Sequence, residues 1–174
     1  NGNRSEIRQR YEREVLEALL KATSSQYGPF EITETLTEYP GIQESLVFSE
    51  KQHHLFVTIA GNQKFKANDM IVIGKPIAKN LLGYRIPIIK RDALQNFSDI
   101  TSSQQLKNLT NGIPETWSDA TIFRHNGYKV SEEGSFDDIF ERLEAGNFDY
   151  TAFGANEVVS VFKNRATKYQ SLTI

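Results

Sequence analysis

Ser135-Phe136-Asp137-Asp138-Ile139-Phe140-Glu141-Arg142-Leu143-Glu144-Ala145-Gly146-Asn147-Phe148-Asp149-Tyr150 reads as a capped helix, a glycine stop and the start of a short strand. Ser135 is placed to accept hydrogen bonds from the free amides of a first helical turn, and Asp137 and Asp138 put negative charge at its positive end. Phe136, Ile139, Phe140 and Leu143 recur at helical spacing and form one apolar face. Gly146 supplies the left-handed stop that a residue with a side chain resists. Phe148, Tyr150 and Ala152 then alternate at period two, so the chain enters a sheet at once. Just past that strand stands a polar group, Gly154-Ala155-Asn156-Glu157. A helix feeding directly into a strand with polar residues at its end belongs to an open α/β sheet, where ligands sit at the strand ends.

Size and charge narrow the function classes. A chain of 174 residues can bury one sizeable core or support two small lobes. A formal net charge of −2 gives no general attraction to nucleic acid or anionic lipid. The charge is uneven: residues 61–91 carry seven Lys or Arg against one Asp, and residues 131–157 carry eight Asp or Glu against one Arg. Two lobes of opposite tendency, one polarised surface, or ordinary solvated faces would each produce this. The absence of cysteine excludes disulfide scaffolds, cysteine nucleophiles and zinc-cysteine sites, without fixing the compartment. The apolar runs fall far short of the roughly 20 residues needed to cross a bilayer, so direct membrane insertion is not expected. The chain opens at Asn1 and reads as a processed or trimmed start, so a missing leader does not argue against export.

Helix and strand signals alternate along the rest of the chain. Residues 6–23 carry an apolar stripe (Tyr11, Val15, Leu16, Ala18, Leu19, Leu20), and Gly28-Pro29 punctuate the exit of that helix. Phe30 and Ile32 begin a strand whose outer side is Glu31, Thr33 and Thr35, and a short helix follows over residues 42–50. Leu55–Ala60 reads as a buried strand, since strands covered on both faces appear as apolar runs. Met70–Ile77 is a second apolar segment, stopped at Pro76, and Tyr84–Lys90 a third, with Pro87 inside it. Proline removes a ladder donor, so an edge or a crossover is expected there. A domain boundary is expected near residues 80–84, giving a first, incomplete lobe over 1–83 and a second over 84–174, whose last strand returns toward the first. Beyond it come a short helix at 102–108 capped by Ser102 or Ser103, a brief strand at 109–113, a helix from Pro114 to His125, a small strand at 128–130, a helix over 156–164 and a terminal strand at 169–174. The recurring unit makes α/β the economical class. No strand precedes the first helix and the chain ends on a strand, so the sequence reads as a fragment.

No local pattern supplies a nucleotide cradle: Lys75 follows Gly74, but Asp69 stands where a phosphate loop needs its first glycine. Gly-x-Gly-x-x-Gly and Gly-x-Ser-x-Gly are absent. The adjacent His53 and His54 would point to opposite faces of a strand, which disfavours a shared metal site. His125 is explained by a helix C-terminus. Neither metal nor cofactor is expected. Gly112–Asp119 is richer: a glycine at a strand end before a helix start presents unpaired amides to an anionic group. There Trp117 is either a flat wall or a core residue, and Asp119 meets a ligand ammonium. Thr58 presents a hydroxyl near Gly61. Asn156 and Glu157 either close the polar end of a pocket or, for Asn156, cap the last helix.

With these residues in place, the chain resembles the bacterial type II extracellular (periplasmic) solute-binding proteins, and within them the transporter-substrate-binding-like branch. The resemblance is carried by Tyr11–Lys21, Pro76–Arg85, Gly112–Asp119 and Ser135–Glu157, and most specifically by Leu82-Gly83-Tyr84-Arg85, Trp117-Ser118-Asp119 and Phe148-Asp149-Tyr150 followed by Gly154-Ala155-Asn156-Glu157, in that order. It implies two lobes that close around a solute, with a first strand ahead of the residue-11 helix and a final return segment that this chain lacks. In amino-acid-binding members an arginine after the first-lobe strand clamps the ligand carboxylate. Here that loop is Ala60-Gly61-Asn62-Gln63-Lys64-Phe65, and Lys64 or Lys66 would offer only a point charge in its place.

The expected function is non-catalytic capture of a small polar solute, amino-acid-like or an organic acid, in an interlobe cleft. The resemblance implies a periplasmic or extracellular setting and a membrane transporter or sensor as partner, with no nucleic acid. The expected ligand contacts are Tyr11, Thr58, Lys64, Arg85, Trp117, Asp119, Asn156 and Glu157. Two alternatives stay open: a degenerate lobe serving protein contacts, and a small hydrolase whose site carries no local motif.

Overall fold

The computed structural model describes residues 6–34, 39, 41–49 and 53–174. Among these, the residues up to Lys79 fall in one compact unit and Asn80–Ile174 in a second. No helix among the described residues is long and apolar enough to cross a membrane.

The first unit opens with helix α1, Glu6–Tyr27, longer than its apolar stripe required. None of its residues is buried. It ends as its glycine predicts, with Gly28 in a left-handed conformation and its amide donating to Ser24 O at 2.9 Å. A 3-10 stretch at Gly41–Phe48 takes the place of the helix expected over 42–50, whose last residue lies outside the described set. The core of this unit is small and aromatic: Val47 and Phe65 are buried, and Phe65 meets Phe48 and Phe56 at 6.1 and 5.5 Å between ring centroids.

The strands expected here are not formed. Residues 30–34, 55–59 and 69–76 carry no strand assignment, and Thr35, on the outer side of the first, lies outside the described residues. Apolar, β-branched sequence favours extended backbone, but a strand exists only where a neighbour completes its ladder.

The second unit is a five-stranded mixed sheet in the order β3-β2-β4-β1-β5. Its strands are β1 (Arg85–Lys90), β2 (Thr110–Ile113), β3 (Lys129–Glu132), β4 (Tyr150–Gly154) and β5 (Leu172–Thr173). Its helices are α2 (Leu94–Ser98), α3 (Ser103–Leu106), α4 (Ser118–His125), α5 (Ile139–Glu144) and α6 (Val158–Val161), the last running into a π-turn at Phe162–Ala166. β2 is parallel to β3 and β4, while β1 runs antiparallel to β4 and β5. The connection β2–α4–β3 steps one way across the sheet and β3–α5–β4 steps back over β2. The right-handed rule for such crossovers assigns α4 and α5 to opposite faces.

Ser135–Tyr150 forms the expected helix, glycine stop and strand, with the helix starting later than a Ser135 cap predicts. Ser135 Oγ accepts the amide of Asp137 at 3.2 Å, and the Asp138 carboxylate accepts the Ser135 amide at 3.1 and 3.2 Å. That turn delays the helix proper to Ile139. Ile139, Phe140 and Leu143 are buried, with Phe136 against them, and they share a core with Ile88, Phe148, Phe153, Val158, Val161 and Leu172. Gly146 has φ +80°, and its amide and that of Asn147 donate to Leu143 O and Arg142 O, each at 3.0 Å. Phe148 then covers Gly112, where any Cβ would overlap its ring.

Pro87 lies inside β1, opposite Ala152 of β4. β5 reaches only Ile89 and Lys90, so at Pro87 the sheet has an edge and the missing amide breaks no ladder bond on that side. The final helix begins at Val158, two residues later than expected, and continues as π-helix to Ala166, while the terminal strand is only Leu172–Thr173.

On the other face of β4, Tyr150 is register partner to both Ile89 and Asn111 and meets the edge of Phe97 from α2 at 5.8 Å. Burial pushes its phenol pKa well above the usual range. Neither its hydroxyl nor the Asn111 amide has a protein hydrogen-bond partner.

Two substitutions separate these contributions. Leu143→Ala is expected to lower stability by about 2–5 kcal/mol, because it empties a fully buried site. Tyr150→Phe removes a desolvated hydroxyl that bonds to no protein group and is expected to leave stability unchanged or raised. Denaturant melts of both variants beside the parent check the pair.

Candidate functional site

Because β2, β3 and β4 are parallel, Ile113, Glu132 and Gly154 end at the same edge of the sheet. β1 runs the other way and so begins there, with Arg85 opposite Gly154. α4 starts at this edge too, five residues after β2 ends. Open α/β sheets place ligands at such carboxyl ends.

Arg85 and Asp119 are ion-paired here, the guanidinium Nη2 donating to Asp119 Oδ1. Both are largely withdrawn from solvent, with side-chain exposures of 19% and 13%. Desolvation raises the Asp119 pKa above its ordinary value, outweighing the opposing effect of the Arg85 charge, the bond to its own backbone amide and the Arg85 hydrogen bond. Thus the site holds a guanidinium and a carboxyl group beside a helix start, and burial makes the charged form of the carboxyl costly.

The approach to α4 is braced rather than loose. Glu115 N donates to Gly134 O at 2.9 Å, and Thr116 N to Glu132 Oε1 at 3.2 Å. Glu132 also pairs with Arg124 at 2.5 Å. Thr116 has φ +66°, a conformation that β-branched residues rarely adopt. The residue at the helix cap position, Trp117, offers no side-chain hydrogen bond to the first turn. Its indole stacks on Phe136 at 5.7 Å and meets the edge of Phe153 at 6.2 Å, so the ring packs against the core.

The polar group after β4 is divided. Glu157 is buried and accepts the Gly154 amide at 3.2 Å, bracing the strand end from within. It also occupies the cap position of α6 that the sequence had offered to Asn156. Asn156 is exposed, and its Oδ1 lies 2.7 Å from where a Cβ on Gly154 would stand, beside Leu82 Cδ1 at the same distance. Only a glycine fits beneath those two side chains.

The remaining expected contacts lie in the first unit. Tyr11 donates its hydroxyl to Ile77 O at 2.5 Å. Thr58 Oγ1 accepts from Asn62 Nδ2 at 2.8 Å, and the same amide reaches Glu44 Oε2 at 3.2 Å. Lys64 is paired with the buried Glu44 at 3.2 Å. Its ammonium is therefore committed to an internal carboxylate, while Lys66 is exposed. Within the second unit, Arg85 and Asp119 come into direct contact, and Trp117, Asn156 and Glu157 flank the same sheet edge.

Glu132 and Thr116 were missed in the sequence. Glu132 extends β3 two residues past the expected end at Val130, and its alternation with Val130 was the available signal. Nothing local announces the positive φ of Thr116.

No family model matches the chain, and no curated protein matches it. Among solved structures it is similar to arginine-bound ArgBP from T. maritima, as a Gly52Ala mutant, at 18% identity and a TM-score of 0.39, over 52% of this chain and 39% of that one. It is similar to an ancestral arginine-binding protein bound to arginine at 17% identity and a TM-score of 0.37, over 51% and 38%. A third likeness, to a structure from a study of glutathione import through GshT and the cystine importer TcyBC of Streptococcus mutans, has 12% identity and a TM-score of 0.35, over 51% and 38%. The chain thus spans under two fifths of the length of these proteins, and the likeness is one of fold over part of it.

The Asp119 shift has a definite sign in stability. A carboxyl whose folded pKa is raised contributes stability that is fully present below its unfolded pKa and is lost as pH rises through the folded value. Between those two values Asp119→Asn is therefore expected to flatten the dependence of melting temperature on pH relative to the parent. Asp119→Ala, which leaves Arg85 unpaired, is expected to cost on the order of 1–3 kcal/mol at neutral pH. Adding Arg85→Leu should recover part of that loss.

Proposed function

We propose that the second unit holds a small polar solute at the carboxyl edge of its sheet, and that it does so without making or breaking a bond. The observation that carries this reading is the Arg85–Asp119 pair, two opposite and poorly hydrated charges at the start of α4. A solute with both an anionic and a cationic group could take over each partner in turn: its carboxylate meets Arg85, its ammonium meets Asp119. Such an exchange restores the hydrogen bonds of both side chains, so the buried charges never stand alone. Thr116 supports the same reading, since backbone held against its preference is concentrated where ligands are gripped.

The proposal extends to the whole protein as capture for transport or sensing in a periplasmic or extracellular compartment, by a two-lobed binding protein of the type II kind of which this chain is a piece. Closure would be driven only by the difference in affinity between its open and closed forms.

A second reading, a binding-like lobe serving protein contacts, is favoured by one observation. Both cations among the expected ligand contacts, Lys64 and Arg85, are already paired with carboxylates of the chain.

Thermal shift across amino acids, small organic acids and polyamines separates the two. Solute capture predicts that at least one zwitterionic or anionic compound raises the melting temperature and that Arg85→Ala abolishes the rise. A panel in which no compound stabilises the chain would favour the contact-serving lobe.

A further inference from the structure

Residues 69–76 of the first unit, Asp69-Met70-Ile71-Val72-Ile73-Gly74-Lys75-Pro76, are exposed without interruption. Ile71 is 94% exposed, and Val72 and Ile73 are each 73% exposed. Isolated exposed apolar residues are ordinary, but consecutive β-branched ones are not. The backbone is ready for pairing: none of these residues, Gly74 included, has a left-handed φ. Among the described residues, no amide from Asp69 to Lys75 donates to another backbone group. An exposed, apolar segment whose backbone donors are not engaged by the chain's own backbone is a template for strand addition.

We propose that this segment is a docking edge for a second copy of the chain, the two copies pairing antiparallel about a twofold axis through Val72. The ends of the segment decide the partner and the register. With Val72 opposite its counterpart, Asp69 of each copy faces Lys75 of the other, and Ile71 faces Ile73. The shared face then reads charge, apolar, apolar, charge, with both ion pairs of opposite sign. A slip of one residue places Asp69 against Gly74, and a centre on Ile71 places it against Ile73. Only the Val72 register matches both charges. Pro76, with no amide to donate, ends the ladder just beyond the second ion pair. This edge is independent of what the second unit binds.

The chain has no cysteine, so an introduced thiol reports the register directly. Val72→Cys brings two thiols together across the twofold and is expected to yield a disulfide-linked dimer under mild oxidation. Met70→Cys, on the same strand face, is the control. Its two copies stand four residues apart, about 13 Å at strand rise, beyond the reach of a disulfide, and it is expected to give no disulfide-linked dimer. Sedimentation equilibrium of the cysteine-free chain completes the test. The parent is expected to show a concentration-dependent doubling of mass, Lys75→Glu to abolish it, and Asp69→Lys with Lys75→Glu to restore it. A parent that stays monomeric at every concentration overturns the proposal and leaves the edge to a different strand. Equal cross-linking of the two cysteine variants, or a double reversal that does not restore pairing, overturns it as well.

Discussion

The second unit depends on burying β4 between two layers. Four of its five residues are buried, with Phe153 and Thr151 on one side and Tyr150 and Gly154 on the other. A strand covered on both faces must have its backbone groups satisfied within the sheet, so β4 requires β2 and β1 as neighbours. One of those neighbours is parallel and the other antiparallel. That mixture sets Arg85, the first residue of β1, against the last residue of β4.

The close approach of α5 makes this burial work. Ile139, Phe140 and Leu143 present a continuous apolar face, and Phe140 lies nearly flat on Phe153 at 6.0 Å between centroids. The chain leaves α5 through Gly146 and Phe148, and Phe148 needs the bare backbone of Gly112 beneath it. In this way the β2 strand that leads to α4 is locked to the return from α5. The helix start, Trp117 and Asp119 thereby inherit the rigidity of the core, while Arg85 reaches them from a different strand.

The second unit was largely legible in the sequence because its signals are local. Helical spacing at 139–143 and the Gly146 stop act within a few residues and the structure keeps both, while residues 136–138 form a turn and the strand begins only at Tyr150. The first unit was not legible in the same way. Leu55–Ala60 and Met70–Ile77 have the composition of strands, yet pairing is a long-range property, and among the described residues neither segment is a strand. The site was legible in residue type and not in partnership. Asp119 beside a helix start could be read from Gly112–Asp119, whereas nothing near residue 85 says that its guanidinium would be the group Asp119 meets across 34 residues of sequence. Lys64 shows the reverse case: a cation that looked available in its loop is taken by Glu44, twenty residues earlier.

A titration followed by amide NMR reports where a solute sits as well as whether one binds. With the stabilising compound added, the solute-capture account predicts saturable shifts confined to Arg85, Thr116–Ala120 and Gly154–Glu157. Shifts that instead gather at the open depression lined by Asp137, Asn164, Arg165 and Lys168, or amides that do not respond to any zwitterion or organic acid, would contradict it.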